Sequence, residues 1–269
     1  MNRTILEVLT DGDLTLLGRI PTASNLTLAC HAGPDELMCV YKPVRGEVPL
    51  WDFPDGTLAG REVASYLISE ALGWGVVPET VLRQTGPSDA DLGPGMLQRW
   101  IHVPDEPEVR DPVDLVPVDA VGDDVIPILR AYDEDGSLVA LVHSDTPSLR
   151  RLAVFDVVVN NADRKGGHIL VDQNGHVYGI DHGICLHTDD KLRTVLWGWA
   201  GQAVPGDLLV DLTRVAERLA DGDDALTVRL GALITPGEIG ALRDRIARLL
   251  DGGTMPLPPG ERAIPWPPF

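Results

Sequence analysis

The chain has 269 residues, 44% of them hydrophobic, and 41 acidic against 22 basic side chains give it a formal net charge of −19. That length suits one two-lobed domain or two small ones with a real core. A surface so acidic repels nucleic acid and anionic membrane, and no run of about 18 apolar residues offers a transmembrane segment. Asp11 and Asp13 interrupt the N-terminal apolar stretch before it reaches signal-peptide length. Cys30, Cys39 and Cys185 form no C-x-x-C pair, which suits buried thiols in a reducing compartment and predicts a cytoplasmic protein.

Residues 4–18 read as a short helix followed by a strand. The polar turn at 18–25 leads into alternating strands at 26–30 and 37–42, joined by Gly33-Pro34-Asp35. Lys42 closes the second of these, and Pro43 stops it. Residues 45–60 are too rich in Pro, Gly and polar side chains for a regular element. A helix is expected over 60–73, with Val63, Ala64, Leu67, Ile68 and Ala71 on one stripe and Gly73 as its stop. Residues 76–83 and 96–101 read as strands. The stretch 103–125, dense in proline and acid, reads as a linker or loop, and 125–142 as irregular chain with a turn at 133–136. Thr146-Pro147 then opens a strongly apolar helix that carries Asp156 and delivers Asn160 and Asn161 to the next loop. Two amphipathic helices follow at 207–220 and 235–250, the second opened by a Thr235/Glu238 capping box. The last residues are too proline-rich for helix or central strand.

The chemistry concentrates between Asn160 and Gly183. A polar cluster of Asp163, Arg164, Lys165 and His168 precedes two β-rich runs joined by Gln173-Asn174-Gly175, and Asp181, His182 and Gly183 follow. Asn-Gly between such runs signals a hairpin, because both residues tolerate positive φ, and the hairpin brings Asp163 and Asp181 to one end of a ribbon. A carboxylate to orient a hydroxyl, a metal-holding side chain five residues on and a second carboxylate across a hairpin suit phosphoryl transfer from a nucleotide. The segment resembles the catalytic loop, hairpin and metal motif of the protein-kinase-like superfamily, Asp-x-Lys-x-x-Asn followed by Asp-Phe-Gly, and most of all its lipid-kinase-like and HipA-like branches. The whole chain resembles an actinobacterial family classed as phosphatidylinositol 3-/4-kinase-like.

The resemblance implies an α+β, two-lobed fold. Residues 1–102 would form a mainly β nucleotide-binding lobe, 103–125 a linker or loop, and 126–269 a mainly helical lobe with the catalytic loop and metal motif. It makes ATP with Mg²⁺, or Mn²⁺, the expected cofactors. Asp163 would orient and deprotonate an acceptor hydroxyl, and Lys165 would meet the γ-phosphate. Lys42 would neutralise the α- and β-phosphates, held by Glu62 or, in competition, Glu70. Ser24 and Asn25 would donate to phosphate, and the backbone from Gln98 to Trp100 would meet the adenine edge. Asp181 and His168 would hold the metal. His168 stands where the superfamily has Asn, and His182 where it has Phe; imidazole suits Mn²⁺ or Zn²⁺ better than Mg²⁺. Two other functions compete with ATP-dependent phosphotransfer: a nucleotide-binding regulator, and a hydrolase whose metal is held by His168, His176, His182 and His187 with Asp163 and Asp181. The expected partners are a nucleotide and a hydroxyl-bearing acceptor.

Overall fold

Strand alternation in the first hundred residues produces a five-stranded antiparallel sheet in the order β1-β2-β3-β5-β4. Its strands are β1 (Leu14–Arg19), β2 (Leu28–Ala32), β3 (Leu37–Pro43), β4 (Thr80–Arg83) and β5 (Gly95–Arg99). The computed structural model describes residues 3–269 except 22, 24, 54–56, 89, 105–110 and 261. On one face of the sheet, Leu28, Cys30, Cys39, Tyr41 and Leu97 pack against Val8 and Leu9 of helix α1 (Ile5–Asp11). The other face carries Lys42 and its register partner Met96, which packs on Ala59 and Val63 of helix α2 (Leu58–Leu72). The period-2 geometry of β3 therefore aims Lys42 at α2.

Helix α2 starts two residues before the expected 60 because Thr57 caps it, accepting the Gly60 N–H at 2.9 Å. Glu47 adds a second cap, its carboxylate accepting the N–H groups of Leu58 and Ala59 at 3.0 and 2.8 Å. The helix ends at Gly73, whose φ of +73° is cheap for glycine. Its burial is not confined to one stripe: Arg61, Glu62 and Ser65 are as enclosed as Val63 and Ala64.

The stretch expected as linker and irregular chain is in large part a sheet. β6 (Val113–Pro117), β7 (Val125–Tyr132) and β8 (Leu138–Ser144) pair antiparallel in the order β6-β8-β7. Prolines disguise it in the sequence, and each occupies a position where a strand tolerates the missing donor. Pro117 ends β6, and Pro127 sits where the β7 register shifts in a bulge. Of the expected linker, residues 105–110 lie outside the described ones.

The remaining chain is mainly helical. α3 (Pro147–Val159), α4 (Gly206–Ala220), a short α5 (Ala225–Gly231) that periodicity did not foreshadow, and α6 (Pro236–Gly252) surround one core containing Leu152, Phe155, Leu212, Leu242 and Ile246. Between α3 and α4 lies the expected hairpin, β9 (Ile169–Val171) against β10 (Val177–Gly179). Gly175 turns it at φ +77°, and Asp172 Oδ1 accepts the N–H groups of Asn174 and His176. After α6 the proline-rich chain runs along this body as a strap. Ala263 accepts the Trp197 indole N–H at 2.8 Å, and the Pro268 carbonyl accepts the Gly166 N–H at 2.8 Å.

Candidate active site

Lys42 joins the two parts of the molecule. Its ammonium donates to Glu62 Oε1 at 2.8 Å and to Asp181 Oδ1 at 2.7 Å. Glu62 is nearly solvent-free, and its Oε2 accepts the His182 N–H at 2.8 Å, so α2 grips the residue after Asp181 through the backbone. Asp181 itself has φ +62°, a conformation that turns its carboxylate out of the β10 line toward Lys42. Burial alone would lower the Lys42 pKa, but the carboxylates of Asp181 and Glu62 outweigh it and raise it. Lys42 in turn holds the Asp181 carboxyl well below the usual carboxylate range, while burial pushes Glu62 upward.

The loop below is built from α3. Asn160 caps that helix in the left-handed region at φ +54°; its Nδ2 donates to the carbonyls of His187 and Asp189, and its Oδ1 accepts the Lys191 N–H. Asn161 Oδ1 accepts the Asp163 N–H at 2.9 Å, which seats the carboxylate-bearing residue directly. Asp163 Oδ2 lies 3.6 Å from Lys165 Nζ. Burial raises the Asp163 pKa even though Lys165 pulls the other way.

Beneath them lies a pair of which the sequence singled out Asp156 but not its partner Arg164. Arg164, fully buried, donates through Nε and Nη2 to Asp156, which is equally buried. Its Nη1 donates to the His168 and Ile180 carbonyls at 3.2 and 2.9 Å, and its Nη2 lies 2.7 Å from His182 Nε2. One guanidinium thus ties the loop of Asp163 to the strand end that carries Asp181. Burial and the adjacent Arg164 push the His182 pKa well below its ordinary value, so its Nε2 accepts. His182 is a packed neutral residue against Phe155 rather than a surface group.

His168 is less enclosed, at the edge of the site. Its Nδ1 lies 3.0 Å from the Asp163 carbonyl, which can only accept, so Nδ1 carries the proton. Burial lowers its pKa to about 4, which leaves Nε2 an unprotonated lone pair 3.5 Å from Asp181 Oδ2. Two electron-pair donors face one another there.

A cavity of about 430 Å³ gathers Asn25, Lys42, Glu62, Asp163 and Asp181 into its walls, with Glu47 and Leu58. Asn25 arrives with its Oδ1 already accepting the Val48 N–H at 2.8 Å, leaving Nδ2 for a ligand. Ser24 lies outside the described residues. Gln98 and Trp100 do not line the cavity. The Gln98 carboxamide donates to Thr80, the Trp100 N–H goes to the Met38 carbonyl and the intervening Arg99 N–H to Glu79, because the sheet pairs β5 on both sides. Glu70, the alternative to Glu62, is exposed near the end of α2. The four histidines do not converge. His176 meets the Gly75 carbonyl and His187 packs on Phe53, and no group of three or more metal-ligating side chains exists among the described residues, so the hydrolase arrangement is not formed. Beyond Arg164, the sequence left Glu47 without a role, and only its place ahead of the Thr57 cap hinted at one.

Residues 124–225 match the family described as Phosphatidylinositol 3- and 4-kinase. A relative from Mycobacterium tuberculosis, Protein Rv2133c, is 52% identical over 270 residues, covering 97% of this chain and 94% of its own. The crystal structure of the golgi casein kinase superposes with a TM-score of 0.55 at 14% identity, over 92% of this chain and 72% of that one, which establishes the two-lobed kinase-like fold. No described helix is long and apolar enough to cross a membrane. With its relative matched end to end, its fold shared with a kinase and its central segment within the lipid-kinase match, the chain belongs to the actinobacterial phosphatidylinositol 3-/4-kinase-like family and is a kinase-like phosphotransferase.

Proposed function

We propose that the protein transfers the γ-phosphate of ATP to a hydroxyl of a small molecule, a lipid headgroup or a protein. The observation that carries this is Lys42 poised between Glu62 and Asp181 in one cavity with Asp163. In that reaction the Asp163 carboxylate takes the acceptor proton as the acceptor oxygen bonds to the γ-phosphorus. The bond from that phosphorus to the β,γ-bridging oxygen breaks, and its electron pair leaves with ADP. Lys42 meets the α- and β-phosphates and Lys165 the γ-phosphate; Asn25 Nδ2 is a further donor at the mouth. Because Gln98 is paired on both sides and the Trp100 N–H is taken by Met38, the base-facing backbone runs from the Trp100 carbonyl through Ile101 and His102. Residues 1–102 act as one lobe, and the other begins at β6 rather than at 126, because β6 and β7 share a sheet with β8 and Val113 packs in the helical core.

The residues fit a divalent cation. Asp181 Oδ2 and the bare Nε2 of His168 face each other at 3.5 Å without a proton between them, and the Nδ1–H contact to a backbone carbonyl is the support that metal-bound imidazoles use. These two would hold the ion, whose chemistry when bound is to neutralise charge on the β- and γ-phosphates. A nitrogen ligand favours Mn²⁺ over Mg²⁺. The net charge of −19 disfavours docking on anionic bilayers and favours a soluble acceptor.

Calorimetry with ATP and each metal tests this. Wild type binds ATP more tightly with Mn²⁺ than with Mg²⁺, Lys42→Ala and Asp181→Ala lose binding, and His168→Asn reverses the metal order. Labelled γ-phosphate appears in an acceptor, or in inorganic phosphate, only while Asp163 is present. Failure of folded wild type to bind ATP with either metal overturns the proposal. Binding without any transfer leaves a nucleotide-responsive regulator.

A further inference from the structure

A second cavity, of about 310 Å³, lies outside the cleft between α3, α6 and the chain that follows α6. Val157, Leu192, Trp197, Leu249 and Leu257 give it apolar walls. One pole is charged, with Arg245, Arg248 and Asp190. Arg248 and Asp190 pair with each other at 2.9 Å on the surface, both more than half exposed. Arg245 is different: it is 4% exposed, and its Nε and Nη1 donate to the neutral carbonyls of Val158 and His187 at 3.0 and 3.1 Å. Its Nη2 is buried and has no hydrogen-bond partner. Burial lowers the Arg245 pKa to about 10, with Asp190 opposing that shift and Arg248 adding to it. A guanidinium held from water whose hydrogen bonds go to neutral carbonyls is unfavourable, and a carboxylate in the cavity would relieve its charge.

We propose that this cavity binds a small monocarboxylic acid, its carboxylate on Arg245 and its apolar body against Trp197, Leu249 and Leu257. The volume sets the size, at the lower end for small-molecule sites. The walls select an apolar body, and Asp190 at the charged pole disfavours a second negative charge. The ligand would sit under residues 187–191, the segment that Asn160 fastens to the catalytic loop. The site stands apart from the nucleotide cleft and does not depend on the phosphotransfer proposed above.

The test is calorimetry and thermal melting of the full chain with octanoate, 1-octanol and octyl phosphate as probes. Octanoate is expected to bind with one site and raise the Tm, with 1-octanol and octyl phosphate each at least about tenfold weaker. Leu257→Trp, at a largely exposed rim position, fills the cavity and abolishes binding with the melting temperature otherwise retained. Arg245→Gln removes the preference for octanoate over octanol. Absence of octanoate binding to folded wild type, equal binding of octanol or octyl phosphate, or undiminished binding in folded Leu257→Trp would each overturn the site or its ligand class.

Discussion

Replacing Asp156 by Asn keeps its shape and removes its charge. In the wild type this carboxylate accepts from Arg164 Nε and Nη2, from Asn161 Nδ2 at 3.1 Å and from Thr194 Oγ1 at 3.2 Å, and neither Asp156 nor Arg164 has solvent exposure. The variant leaves Arg164 as an unneutralised buried cation. Breaking a buried pair from one side costs about 3–5 kcal/mol, a large fraction of the roughly 5–15 kcal/mol that holds a domain together. The upper half of that range is expected, because Arg164 cannot swing into water while it holds the His168 and Ile180 carbonyls. Urea unfolding followed by tryptophan fluorescence reads the change as a lower midpoint at unchanged slope. Because Asn161 also leans on Asp156, ATP affinity falls in the folded fraction of the same variant. An Asp156→Asn protein within about 0.5 kcal/mol of wild type would refute the view that this pair is the foundation of the loop.

Gly166→Ala places a methyl 2.6 Å from the Phe269 ring, closer than atoms pack, and the half-exposed ring can move, so a loss of about 1 kcal/mol is expected at the low end for overpacking. Adding Phe269→Ala to Gly166→Ala should recover part of that loss in a melting experiment; strict additivity would show that the strap does not press on the loop. The raised Asp163 pKa sets a sign for the pH profile. The base works ionised, so kcat/KM declines as pH falls through a value above that of an ordinary aspartate. A profile flat down to the ordinary aspartate range would remove Asp163 from that role.

Residue type and backbone spacing made the cleft legible. Asn174-Gly175 forces a turn between β9 and β10, and once the turn is there Asp163 and Asp181 have little choice of where to be. Lys42 and Glu62 were pointed to by the resemblance, with Glu70 left in competition, and it is the geometry of β3 and α2 that brings Lys42 to Glu62 at 2.8 Å. What escaped the sequence depends on burial. Arg164 stands between Asp163 and Lys165 and looks as solvated as either, and only the packing of α3 shows it to be enclosed with Asp156. Gln98 sits in a strand bonded on both sides, so its groups were unavailable for reasons no local pattern displays. β6 to β8 were hidden because prolines at strand ends and bulges look, one residue at a time, like prolines in loops.

The position of Lys42 between two carboxylates also bears on how ligands arrive. Two cations, Lys42 and Lys165, against the carboxylates of Glu62, Asp181 and Asp163 leave the open cleft short of positive charge, and the protein around it has a net charge of −19. A free polyphosphate therefore approaches uphill through a field of its own sign. Added salt screens that repulsion, so the association rate of nucleotide should climb with ionic strength, the reverse of steered encounters, and traffic into the cleft is governed by collision rather than capture.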